Sequence, residues 1–263
     1  MLKTCKPNTV KTRMCCAKRY ASVLTGHVQL LQRLPPQTRL NVMKSLTALS
    51  KYLGTYEKWK ATCKRYNLKW TTGNESIASL ARFFNPELSL DSMSRRVRDM
   101  MRVLPGTMAA VIRFAALTGL RPSEACESVR LIYTYQYTSS YYNPDQQTLE
   151  HFRFPQFLRQ TKKAYISYLS TSNYQRIASL GPKTCWNAIR LACRRRNIDM
   201  DMRLCRRIFA SHLSNCGIQS EIIDFLQGRT STSVFSRHYL SPLNDLKDRV
   251  LNAVNELQKE IER

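Results

Sequence analysis

Three stretches of the chain place arginines where the local backbone would aim a guanidinium at an anion. In TGLRPSEAC, Gly119 permits a tight turn and Arg121 precedes Pro122; a residue before proline avoids helical geometry, and proline suits the first position of a new helix. Arg121 is therefore expected at a helix mouth. Free backbone amides and the positive dipole end favour a phosphate there, and the guanidinium adds a bidentate fork. Glu124, three residues on, suits the same dipole and is placed to orient that arginine, although helix capping alone explains it. In RLCRRIFASHL, Arg203 and Arg206 share a helix surface opposite a stripe of Cys205, Phe209, His212 and Cys216. Arg207 also points away from that stripe, so periodicity leaves Arg206 and Arg207 open. In LQGRTSTSVFSRHY, Arg229 follows a glycine and stands ten residues before Tyr239, which itself follows Arg237 and His238. Tyrosine is most often a buried aromatic with a polar handle, but the charge of this chain argues for more.

The 263 residues carry a formal net charge of +24 and a pI near 10.0. Such a field favours a polyanionic partner, either nucleic acid or an anionic membrane surface. The membrane is the weaker option, because there is no run of about 18 apolar residues and the start MLKTCKPNTVKTRMCC lacks the apolar core of a signal peptide. A soluble, cytoplasmic, DNA-associated chain is expected. The nine cysteines include no Cys-x-x-Cys pair and no nearby His in zinc-ligand spacing; free thiols packed as small hydrophobes, with no metal site, are the expectation.

The elements that must position these groups are mostly helical. Periodicity runs through the first hundred residues with breaks at Pro35-Pro36, at residues 71–74 and at Leu104-Pro105-Gly106, the last read as a domain linker. Residues 1–104 hold 20 Lys and Arg against 5 Asp and Glu, so the first part is the more basic. Val42, Leu46, Leu49 and Leu53 form an apolar stripe, with Lys44, Lys51, Lys58 and Lys60 largely elsewhere. After a helix through Met108, Val111, Ile112, Ala115 and Ala116, the run LIYTYQYT favours a strand, and LEHFRF and KKAYISYLS suggest two more. Helical rhythm returns at 183–196, 203–216, 218–227 and 243–262, with Gly217 and Gly228 as stops. Fold and boundaries follow: mainly α (α+β), a helical domain over 1–104 and a domain over 105–263 with a small antiparallel sheet.

In order and spacing, TGLRPSEA, then R-x-x-R followed by IFASHL, then GR and the later tyrosine resemble the tyrosine recombinase family. An arginine at 203, a slot usually held by His or Lys, together with SRHYLSP and the short chain, is similar to integrases of archaeal viruses and plasmids. The motifs cover roughly residues 107–240; the first hundred match only as a basic, helical, core-binding type of domain. The resemblance implies DNA strand exchange through a 3′-phosphotyrosyl intermediate with Tyr239 as nucleophile, without metal, nucleotide or other cofactor. Arg121, Arg206 and Arg229 would stabilise charge on the phosphate, and Arg203 would add charge and hydrogen bonds. Lys163, with Lys162 close behind, would protonate the departing oxygen; a solvated turn lysine is the plain alternative. His238 is assigned a structural or DNA-facing role and His212 a place in the core.

The last stretch repeats apolar residues at 243, 246, 250, 254, 257 and 261. The family links protomers through C-terminal helices, so exchange of this helix in a homo-tetramer on double-stranded DNA is expected, with packing on its own domain as the competitor. Truncation before Lys247 is expected to abolish assembly and spare DNA binding. Two other functions compete: a type IB-like topoisomerase, and a noncatalytic basic DNA-binding protein that reads DNA through a helix-turn-helix.

Overall fold

The break at Leu104-Pro105-Gly106 is a corner inside one core. Helix α5 (Leu90–Val103) buries Met93, Val97 and Met100, Leu104 is itself buried, and α6 (Gly106–Thr118) continues in the same apolar cluster. In this computed structural model, which describes residues 7–70, 84–86, 89–136, 138, 140–158, 163–179, 185–198, 202–229 and 245–263, the chain divides into units Met1–Phe84 and Asn85–Arg263. The boundary thus lies about one helix before the expected residue 104. The physical reason is the amphipathic α5, whose Ser89 cap accepts from the Ser92 N–H at 3.3 Å and whose apolar face has its partners in the second unit.

The first unit comprises α1 (Pro7–Tyr20), α2 (Gln29–Gln32), α3 (Pro36–Tyr52) and α4 (Tyr56–Arg65). Pro36 starts α3 where its missing N–H costs nothing. Val42, Met43 and Leu46 of α3 bury with Trp59 and Cys63 of α4, and Trp59 Nε1 donates to Thr47 Oγ1 at 2.9 Å. The expected stripe holds at Val42 and Leu46; Leu53, just past the helix, is exposed instead. Lys44, Lys51, Lys58 and Lys60 are all exposed, as their positions off the stripe predict.

In the second unit α6 is the centre, buried continuously from Val111 to Thr118 and packed against α5, α7 (Pro122–Thr134), α10 (Arg203–Asn215) and α12 (Leu246–Glu262). Gly119 ends α6 with φ +62, and a Cβ there would lie 2.5 Å from Cδ1 of Phe209 on α10. Both left-handed backbone and close helix approach demand glycine. The strand expected in LIYTYQYT is corrected by α7: Leu131 and Ile132 extend the buried stripe of Ala125 and Val129, so helix continues through Thr134. Burial on a helical face outweighs the strand preference of tyrosine and isoleucine.

The sheet is small and antiparallel, in the order β1 (Tyr142–Asn143), β2 (Thr148–Glu150), β3 (Ile166–Tyr168), with Tyr142 opposite Leu149 and Leu149 opposite Ser167. Only the start of LEHFRF is extended, since His151–Arg153 turns into a 3₁₀ helix. His151 is fully buried between the Tyr141 hydroxyl, 2.8 Å from Nδ1, and Ser167 Oγ, 2.9 Å from Nε2. Helices α8 (Thr171–Ala178), α9 (Trp186–Arg195) and α11 (Ser220–Leu226) complete the described α-helices; α8 is not expected from the sequence. Of the cysteines, Cys63, Cys193 and Cys205 are buried as expected, whereas Cys15, Cys185 and Cys216 are exposed.

The C-terminal helix α12 lies on its own unit. Val250, Leu251, Ala253, Val254, Leu257 and Ile261 are buried against α5, α6, α10 and β3. Glu262 pairs with Arg113, and Gln258 Oε1 accepts from Asn173 Nδ2 at 2.7 Å.

Candidate active site

Two turns create the site, one ending α6 and one ending α11. At the first, Arg121 takes an extended conformation (φ −69, ψ 152) ahead of Pro122, as the sequence predicts, so its side chain starts at the mouth of α7. Its backbone N–H donates to Glu124 Oε2 at 3.1 Å and its guanidinium Nη1 to Glu124 Oε1 at 3.1 Å. The 2% exposed Glu124 therefore caps the helix and fixes the arginine with one carboxylate.

At the second turn Gln227, Gly228 and Arg229 follow α11, and successive carbonyls there hold two different arginines. Arg206 Nη2 donates to Gln227 O at 3.0 Å, and Arg121 Nη2 donates to Gly228 O at 3.0 Å. Arg206 Nη1 reaches back to Gly119 O at 2.7 Å, tying the two turns through one guanidinium. Gln227, with no exposed surface, donates from Nε2 to Arg206 O at 2.6 Å. The choice left open by periodicity is thereby made: Arg206 is buried and Arg207 is half-buried.

Burying a guanidinium opposes its charge, and Arg206 is pushed down to about 10, first by burial and then by the cations of Arg121 and Arg229. At about 10 it stays protonated at neutral pH, with the carboxylates of Glu124 and Asp224 opposing the downward shift. Like charges crowded at a cost mark an anion site. Arg229 is the exposed member; its N–H closes the turn on Asp224 O at 2.7 Å, and its guanidinium stands 3.4 Å from Asp224 Oδ1.

Lys163 joins the same turn from the sheet side. It forms an antiparallel bridge with Leu158, and its carbonyl lies where a Cβ on Gly228 would be, at 2.3 Å. Gly228, at φ +63, is thus required twice, by its backbone angle and by the passing strand. Tyr165 stacks on Phe225 of α11 with centroids 5.5 Å apart, a second clamp between these elements. Arg203 is exposed on the first turn of α10, three residues before Arg206. Tyr239, His238 and Lys162 lie outside the described residues.

Four of the six expected residues, Arg121, Lys163, Arg206 and Arg229, therefore surround one turn. Gln227 was missed, because a glutamine before a glycine carries no signal until its amide is seen gripping the backbone of α10. Guanidiniums of Arg121 and Arg206 held by Glu124 and by turn carbonyls, beside the exposed Arg229, suit binding a phosphate and stabilising charge that builds on it.

A family model described as archaeal phage integrase matches residues 89–254, beginning at the cap of α5 and ending within α12. No curated protein and no solved structure gives a match. Among the described residues no helix is long and apolar enough to cross a membrane.

Proposed function

The chain belongs to the archaeal phage integrase family, and from that premise we propose that it cuts and rejoins double-stranded DNA as a tyrosine recombinase. The observation that supports this most is the sharing of consecutive carbonyls, Gln227 and Gly228, by Arg206 and Arg121, with Arg229 next in the chain. In the proposed reaction the Tyr239 phenolate attacks a backbone phosphorus, a P–O bond to the 5′-oxygen breaks, and a 3′-phosphotyrosyl link forms. Negative charge rises on the non-bridging oxygens, so guanidiniums already fixed by Glu124, Gly119 and Gln227 favour the transition state over the ground state. Lys163 supplies the proton that the departing 5′-oxygen needs, and Arg203, which is no proton acceptor at neutral pH, adds charge. Attack by a 5′-hydroxyl from another strand reverses the step and conserves the bond energy, so no nucleotide is consumed.

The first unit, with its exposed lysines, serves as a DNA-binding clamp through phosphate contacts. Four protomers assemble on DNA, and α12 either stays on its own unit or crosses to a neighbour. Cysteines introduced as Asn173→Cys and Gln258→Cys separate these cases: a disulfide within one chain in the assembled complex means packing in place, and one between chains means exchange.

Strand transfer between two linear duplexes, followed on a denaturing gel, tests the function. The recombinase reading expects joined products from the native chain and retained binding without products from Tyr239→Phe. Relaxation of supercoiled DNA without intermolecular joining would favour the topoisomerase, and binding without covalent adduct in either version would favour a plain DNA-binding protein.

A further inference from the structure

Helix α10 carries a second set of reactive side chains on the surface that meets α12, away from the arginines. His212 and Cys216 stand one turn apart at its C-terminal end, and Glu256 and Glu260 stand one turn apart on α12. Ligand atoms of His212, Cys216 and Glu256 lie within 4.8 Å of one another. We propose that these three residues form a transition-metal site, best suited to Zn²⁺, that ties the C-terminal helix to α10.

The independent observation is the state of His212. It is only 7% exposed, yet Nδ1 and Nε2 are both buried without a hydrogen-bond partner. Two polar atoms of one ring buried without partners are unfavourable until something satisfies them. The nearest carboxylate oxygen, Glu260 Oε2, is 3.5 Å from Nδ1 and makes no hydrogen bond there, while the other oxygen of Glu260 accepts from Ser94 Oγ at 2.5 Å. A metal on one ring nitrogen would satisfy it and leave Glu260 to receive the proton on the other, the arrangement that fixes metal-bound imidazoles elsewhere.

Geometry and chemistry agree. Tetrahedral zinc with N, S and O ligands sets its donors roughly 3.4–3.7 Å apart. Cys216 Sγ already sits 3.6 Å from Glu256 Oε2. Both residues are exposed, so small rotations close the remaining gap and leave a fourth position for water. Thiolate, imidazole and carboxylate together favour zinc over hard cations. The expectation that no histidine stands in ligand spacing to a cysteine is therefore corrected: His212-x-x-x-Cys216 places both one helical turn apart, and the partner pair is distant in sequence.

The site stands on α10 and α12 alone and holds whether or not the protein recombines DNA. Its consequence for assembly rests on the recombinase reading: bound metal would hold α12 on its own unit and oppose exchange.

The test is Co²⁺ titration of the chelator-stripped full chain, kept reduced with a phosphine. One equivalent is expected to bind with the visible absorption of tetrahedral cobalt and a thiolate charge-transfer band, and Zn²⁺ is expected to displace it. Cys216→Ser should remove the thiolate band and Glu260→Gln should weaken binding by about 10–100-fold, whereas Cys15→Ser should change neither. Zn²⁺ should raise the unfolding temperature of the native chain and not of Cys216→Ser. Absence of the cobalt spectrum, or a thiolate band that survives in Cys216→Ser, would overturn the proposal and leave His212 beside Glu260 with no metal joining the helices.

Discussion

At Arg206 the chain spends three acceptors on one cation: the carbonyls of Gly119 and Gln227 and the side chain of Gln227. A lysine offers one point charge in place of a planar fork and cannot span both turns. Arg206→Lys is expected to lower the rate of covalent adduct formation by about 10²–10³-fold, the usual cost of one transition-state donor, while duplex binding changes little. Measured single-turnover cleavage near the native rate would remove Arg206 from the reaction. For Lys163 the sharper test is a substrate with sulfur at the 5′-bridging position, a leaving group that needs no proton. Lys163→Ala should cleave ordinary DNA slowly and the sulfur substrate at close to the native rate; equal loss on both would assign Lys163 to structure. His151 predicts a pH effect. Burial pushes it down to about 3, below its unfolded value of about 6.5, so its contribution is complete above pH 6.5 and is lost as pH falls toward 3. Stability should drop by about 2 kcal/mol between pH 6.5 and 5 from this group, and urea titrations of His151→Asn should show a correspondingly flatter profile.

Among the elements, the turn after α11 carries the most consequence for its length. Gly228→Ala is expected to cost about 1–3 kcal/mol from backbone strain, with more from the clash on the Lys163 carbonyl, and to depress cleavage because Arg121 and Arg206 both lean on this turn; chemical denaturation and adduct yield measure the two. Truncation before Lys247 is a poor probe of assembly. It removes Val250, Val254, Leu257 and Ile261, each no more than 1% exposed, and each worth about 1.5–3 kcal/mol of burial, so the shortened chain should lose its fold rather than its partners. Much of this was legible beforehand. Arg-Pro after a glycine announced the mouth of α7, and the 3.6-residue rhythm located α10, α11 and α12. What stayed hidden depends on contacts between distant segments: the seam between α5 and α6 that moves the boundary, the helical course of LIYT, and the choice of Arg206, which only the carbonyls of Gly119 and Gln227 decide. The pairing of His212 with α12 is hidden for the same reason.

For the whole molecule, a net charge of +24 makes DNA affinity an electrostatic quantity. Binding to random duplex should weaken along a log–log salt slope of about −5 or steeper, near −0.9 for each phosphate neutralised; a shallow slope would contradict a phosphate-tracking clamp. Within such a complex, cleavage requires one tyrosine to meet the arginine turn. Incubation with duplex DNA bearing a nick near the crossover traps the covalent intermediate, because the short released strand diffuses away, and digestion followed by mass spectrometry locates the attached nucleotide. A single adduct on Tyr239 is expected, absent from Tyr239→Phe and much reduced in Arg206→Lys. An adduct on another residue, or none from a chain that binds the DNA, would contradict it.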